Sequence, residues 1–169
     1  TSTLGTATAD GSGNWTLSLG NAAVNTLGQG SGKVITATVT DTAGNFTTAT
    51  SNTFSVDTSA PITPSVTVGT NGVASVSGIE AGAGWSYTLD STATPVVWSQ
   101  GSGASFYVPE GTYAANKVQV RQVDSAGNTS TAGSASAVTV DTTAPAAPVI
   151  SAVTADNVVN ASENTDLVI

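Results

Sequence analysis

Asp41-Thr-Ala-Gly-Asn45 and Val56-Asp57-Thr-Ser-Ala-Pro61 return later as Asp124-Ser-Ala-Gly-Asn128 and Val140-Asp141-Thr-Thr-Ala-Pro145. An alternating stretch lies between the two members of each pair. The spacing is 83 residues from Asp41 to Asp124, and 84 from Asp57 to Asp141 and from Pro61 to Pro145. A fixed period of this length is the mark of a tandem domain array. Units joined end to end predict a spacer or a display stalk.

The period divides the chain. Residues 58–141 hold one complete unit, 1–57 the later part of the unit before it, and 142–169 the opening of a third. The end pieces, 57 and 28 residues long, together make about one period. The chain therefore reads as a fragment cut out of register with its domains. Thr1, with no signal peptide, reads as a fragment boundary.

Composition narrows the chemistry. The chain has three Lys+Arg against eleven Asp+Glu, a formal charge of −8, and no His, Cys or Met. Such a balance gives no electrostatic footprint for nucleic acid. It also gives no basic face for an anionic membrane, and no apolar run is long enough to span one. Without His or Cys there is no imidazole base, Ser-His-Asp triad, thiol nucleophile or His/Cys zinc site. Carboxylate, amide and backbone oxygens remain, and these hard ligands suit calcium. A small domain without disulfides needs another staple, and a bound metal is a common one.

Thr, Ser, Val, Ala and Gly dominate, which favours strands and tight turns over helix. No window carries a sustained 3.6-residue apolar period, so almost no helix is expected. Residues 6–19 read as a hairpin turning at Asp10–Asn14, with Trp15, Leu17 and Leu19 facing inward. Residues 33–39 form a strand with Ile35, Ala37 and Val39 on one face, and 53–56 close that unit. In the complete unit, 65–68 and 73–76 flank Asn71-Gly72, a hairpin signal calling for positive φ at both residues. Strands follow at 85–89, 95–98, 105–108, 117–121 and 138–140. About seven strands with frequent turns predict an all-β fold of tandem immunoglobulin-like β-sandwich domains. Trp85 fits the core Trp of such a sandwich, and Tyr113 its tyrosine corner.

Two readings compete for the acidic residues. Asp41 and Asp124 cap type I turns, with Gly44 and Gly127 at the positive-φ position, and the same residues can also ligate a metal. Asp10 and Asp90 read as turn residues. Asp57 and Asp141 end a closing strand, where no local need for a charge is apparent. Asp57 is expected beside Glu80 at one junction, and Asp141 beside Asp156 and Glu163 at the next. Crowded carboxylates repel unless a cation neutralises them. The links after Asp57 and Asp141 carry two prolines each, which makes them extended and semi-stiff. The aromatics Trp85, Tyr87, Trp98, Phe106, Tyr107 and Tyr113 read as core and cross-strand packing, or as a sugar-binding platform if exposed. Four Asn-x-Ser/Thr matches, at Asn14, Asn45, Asn128 and Asn160, are expected by chance in so Ser/Thr-rich a chain.

The two repeated phrases resemble the bacterial Ig-like repeats of giant type I secreted adhesins, the biofilm-associated and repeats-in-toxin adhesins. Ile79-Glu80-Ala-Gly-Ala-Gly-Trp85-Ser-Tyr87-Thr-Leu89-Asp90 and Gly101-Ser-Gly-Ala-Ser-Phe106 are similar to their inner repeats. Asp156-Asn-Val-Val-Asn160-Ala-Ser-Glu163 is similar to the opening of another. The resemblance implies an extracellular, cell-surface protein in which calcium at the junctions stiffens an array that projects a terminal binding domain. Carried onto this chain, it implies Asp57, Asp141, Glu80, Asp156 and Glu163 as junction ligands, with Asp41 and Asp124 secondary. The chain is then a structural extender without enzymatic activity, whose partners are neighbouring repeats. The alternatives are a carbohydrate- or receptor-binding module of the same protein, or an accessory domain of a secreted glycosidase. Finally, residues 142–169 offer the opening strands that 1–57 lack, so head-to-tail completion between two chains is expected.

Overall fold

Why strands form here is visible in their side chains. In the computed structural model, which describes residues 2–150, Ala74 and Val76 point inward from a strand whose other residues are exposed. Val120 and Gln122 also point inward from a second strand, whose other residues are half-buried, the period-two pattern of a pleated ribbon. Asp156 and Glu163 lie outside the described residues.

Residues 2–57 contain α1 (Asn21–Leu27), β1 (Gly30–Lys33), β2 (Thr36–Thr40), β3 (Phe46–Thr50) and β4 (Phe54–Val56). Two separate ribbons result, β1 with β4 and β2 with β3, both antiparallel. Residues 58–141 contain β5 (Ser65–Val68), β6 (Val73–Ser77), β7 (Gly84–Thr88), β8 (Ser99–Gln100), β9 (Ser105–Tyr107), β10 (Gly111–Tyr113), β11 (Gln119–Val123), β12 (Gly133–Ser134) and β13 (Val138–Val140). They pair as a three-stranded sheet β5-β6-β9, a four-stranded sheet β12-β11-β7-β8 and a ribbon β10-β13. The described fold is thus all-β, in several small antiparallel sheets.

The core belongs to residues 58–141. Val66, Ala74, Val76, Trp85, Val108, Val118, Val120, Ala135 and Val140 are buried together. The larger sheets meet across it: Tyr87 of β7 stacks on Phe106 of β9 at 4.1 Å, and Trp85 lies 5.9 Å from the same ring. Trp85 donates its indole N–H to Gly103 O at 3.0 Å. Its ring lies so close to Gly101 that any Cβ there would collide with it.

The repeat is visible in the strands. β2, β3 and β4 stand one period before β11, β12 and β13, and β1–β4 pairs as β10–β13 does. Yet no described residue among 2–57 is buried. β2 pairs with β3 alone, whereas β11 lies between β12 and β7.

Several expectations are corrected. Trp15 is 48% exposed, and residues 2–20 form no strand. The turn at Asp10–Asn14 does form, with Asp10 N–H to Asn14 O at 2.8 Å. Its flanks have no core to lie on, and a lone hairpin is marginal in water. A seven-residue helix, α1, interrupts the otherwise helix-free described residues. Residues 95–98 are not a strand; pairing begins at Ser99. The β5–β6 turn spans Gly69–Gly72, closed by Gly72 N–H to Gly69 O at 3.0 Å. Only Gly72 has positive φ there, because Asn71 instead turns its Oδ1 to accept from Val73 N–H at 3.1 Å.

Trp85→Ala should therefore cost about 3–5 kcal/mol, as for other large core residues. Trp15→Ala should change stability by no more than about 0.5 kcal/mol. Denaturant unfolding of the two variants checks both; equal losses would contradict the placement of the core.

Candidate functional site

The candidate site is the link between the first two units, and it begins at an aspartate. Asp57 Oδ1 accepts from Ser59 N–H at 3.0 Å. Its repeat behaves identically, with Asp141 Oδ1 accepting from Thr143 N–H at 3.0 Å. This is an Asx turn, which satisfies a backbone donor just as the strand ends. So both aspartates have a local task as acceptors, which an uncharged Asn could also perform.

From Asp57 onward the link is gripped by side chains. Asn128 Nδ2 donates to Asp57 O at 3.2 Å, joining the β11–β12 turn of one unit to the end of β4 in the other. Gln29, from the preceding unit, accepts from Thr58 N–H at 3.0 Å and donates to Thr58 Oγ1. Glu80 Oε1 accepts from Ile62 N–H at 2.8 Å. Gln122 Nε2 donates to Ile62 O at 2.7 Å and to Gly78 O at 2.9 Å. Gln122 Oε1 accepts from Glu80 N–H at 2.8 Å. The hydroxyls of Thr63 and Thr131 also pair.

Packing holds the link as well. Pro61 and Pro64 are buried. Pro64 O lies over Gly133 so closely that a side chain at Gly133 would collide with it. Gln122 is fully buried, and both its amide hydrogens are used. A buried amide left without partners costs ~1–3 kcal/mol, so this full satisfaction is what makes an inward-facing Gln tolerable.

The trailing link starts the same way and then differs. Asp141 N–H donates to Thr70 O at 2.9 Å, which places it at the far end of β5 from the leading link. Thr142 and Thr143 donate their hydroxyls to Glu110 Oε2 at 3.1 and 2.9 Å. Residues 144–150 are exposed, Val149 at 93% and Ile150 at 77%.

The Asp-x-x-Gly-Asn turns use their acids locally. Asp41 Oδ1 accepts from Asn45 N–H at 2.8 Å and Oδ2 from Asn45 Nδ2 at 2.9 Å. Asp124 makes the same two bonds to Asn128 at 2.8 and 2.9 Å. Asp10 and Asn14 form a third copy. Gly44 and Gly127 supply φ of 90° and 92°, the left-handed geometry expected of them.

Asp41, Asp57, Glu80, Asp124 and Asp141 are thus each held by N–H donors. Asp57, Glu80 and Asp124 share the leading end of residues 58–141, Asp141 stands at the trailing end, and Asp41 sits in the β2–β3 turn. Among the described residues no three acidic side chains gather into a group able to hold a metal ion. Among the described residues the one ion pair joins Lys117 to Asp90 at 2.6 Å. The bond from Lys117 holds the Asp90 carboxyl well below the usual carboxylate range.

The aromatics are mostly structural. Trp85, Tyr87 and Phe106 line the interior. Tyr113 donates its hydroxyl to Pro109 O at 3.1 Å, a corner contact of the expected kind. Trp98 lies beneath the Arg121 guanidinium at 4.1 Å, and Tyr107 is exposed. Gln122, Gln29 and Thr131 went unnoticed in the sequence, as did the hold of Asn128 on Asp57 O. Gln122 was visible as a polar residue in the inward phase of Val118-x-Val120-x-Gln122.

No protein-family model and no curated protein matches this chain.

The turn geometry sets a pH dependence. The Asn45 side chain holds the Asp41 carboxyl below its ordinary 3.8, and the Asn128 side chain does so for Asp124. A carboxyl with a depressed folded-state pKa adds stability above its unfolded value and loses it as pH falls through the folded value. The contribution is thus complete above about pH 4 and declines below it. Asp124→Asn should flatten the fall in melting temperature below about pH 4 relative to the unaltered chain. Calorimetry across that range checks it; parallel curves would contradict it.

Proposed function

We propose that the chain is a structural extender segment of a large bacterial cell-surface adhesin, acting outside the cell in attachment or biofilm formation. The observation that carries this is the docked link: side chains of both adjoining units hold Asp57–Thr63. A link held in this way transmits orientation, which a spacer needs and a flexible Gly/Ser tether lacks. The sequence period and the resemblance to secreted adhesin repeats support the same reading. No described helix is long and apolar enough to cross a membrane.

The finer fold belongs to this proposal. The strand orders β5-β6-β9 and β12-β11-β7-β8, with their inner faces meeting at Tyr87 and Phe106, support an immunoglobulin-like sandwich. The interior placement of Trp85, Tyr87 and Phe106 favours the extender over a sugar-binding module. Calcium, which the resemblance implies, is proposed for the trailing junction alone, with Asp141, Asp156 and Glu163 as its residues.

Partners follow from the exposed apolar side chains of the first unit. Val39 is 54% and Phe46 73% exposed, on opposite faces of the β2–β3 ribbon, while Val149 and Ile150 lie exposed beyond the other end of the complete unit. Residues 145–150, Pro-Ala-Ala-Pro-Val-Ile, repeat the lead into β5 at Pro61-Ile-Thr-Pro-Ser-Val66. We propose that this segment of a second copy pairs with an unpaired edge of the β2–β3 ribbon, head to tail.

Sedimentation velocity of the full chain should give an elongated particle whose mean sedimentation coefficient rises with concentration. A compact particle with saturable binding to a glycan array would overturn the extender reading. A strict monomer at every concentration would remove the head-to-tail contact only.

A further inference from the structure

Three residues around the leading link form a closed ring. Ile62 donates to Glu80, Glu80 donates its backbone N–H to Gln122, and Gln122 donates back to Ile62 O. Each member fixes another. Gln122 anchors the β6–β7 loop at Gly78 and Glu80, so it sets where the Glu80 carboxylate stands. That carboxylate then takes the one N–H of Ile62, between two buried prolines that have none to give.

We infer that this ring stiffens the leading junction by hydrogen bonding alone. Glu80 serves through an oxygen lone pair and not through its charge, and Gln122 is the positioning residue that selects a clamped junction. The inference rests on the extender reading above and departs from the cation that the resemblance would put here. The ring needs only an acceptor at residue 80, and an amide oxygen supplies one as well as a carboxylate does. It also needs a side chain at 122 that both donates and accepts. In the preceding unit the position one period earlier is Val39, which can do neither. Junctions along such an array therefore differ in stiffness according to a Gln or Val at this strand position, in the unit that follows the link.

The test uses the full chain, which has no native cysteine. Thr47→Cys in β3 and Ser75→Cys in β6, both exposed, take spin labels on either side of the junction. Their distance distribution should be narrow and identical in calcium and in chelator. E80Q, which keeps the acceptor and loses the charge, should leave it narrow. E80A and Q122V should each lose the narrow distribution. E80Q broadening as far as E80A, or narrowing that appears only with calcium, would overturn the inference. Glu80 is exposed, so its two variants decide the matter even if Q122V destabilises the core. A broad distribution in the chain without any of these three changes would instead reject the stiff extender itself.

Discussion

Pro61 and Pro64 are buried while Ile62 between them is 61% exposed, so the chain is seated by its prolines and its one intervening apolar side chain faces outward. The prolines remove two of the donors a strand would use, so a link of this kind needs partners other than a ladder to hold it in place. No neighbouring strand runs beside this link to supply a ladder. Side chains take its place, with Glu80 and Gln122 on the two polar groups of Ile62. The inward-facing Gln, the bare Cα of Gly133 and the loop carrying Glu80 all follow from that requirement. The core on which they rest is ordinary valine and aromatic packing.

The acidic residues illustrate how one side chain can answer two demands. A carboxylate offers about four lone-pair sites, so accepting one or two N–H bonds does not exhaust it. What matters for a cation is convergence, because calcium takes six to eight oxygens at short range. In the turns and at the strand ends, the acids are dispersed among separate backbone donors. Their charge is spread over a chain of −8 and largely exposed, where ionic contacts count for little. Each repeated aspartate thus satisfies backbone donors of its own turn or strand end.

Much of this was legible in the sequence. Alternation placed β2, β6, β7 and β11, and the Asp-x-x-Gly-Asn phrases placed their turns. Trp85 read correctly as core because its strand alternates with bulky residues. Trp15 has the same local signature but no second sheet to pack against, and alternation alone cannot report that. Asn71-Gly72 marked the hairpin yet misstated its turn, since the Asn side chain found Val73 N–H and kept negative φ. The clamp was hidden because its members lie up to 60 residues apart, from Ile62 to Gln122. Only the odd polar residue in an apolar phase pointed to it.

Amide hydrogen exchange at Ile62 and Thr58 measures the central claim most directly. If the link is docked, both amides open only with a larger structural unit, and their protection approaches that of core amides such as Val120. They should hold that protection in chelator as in calcium. Exchange at Ile62 as fast as at the exposed Val149 would contradict the account, since the link would then be a tether between units and not a clamped joint.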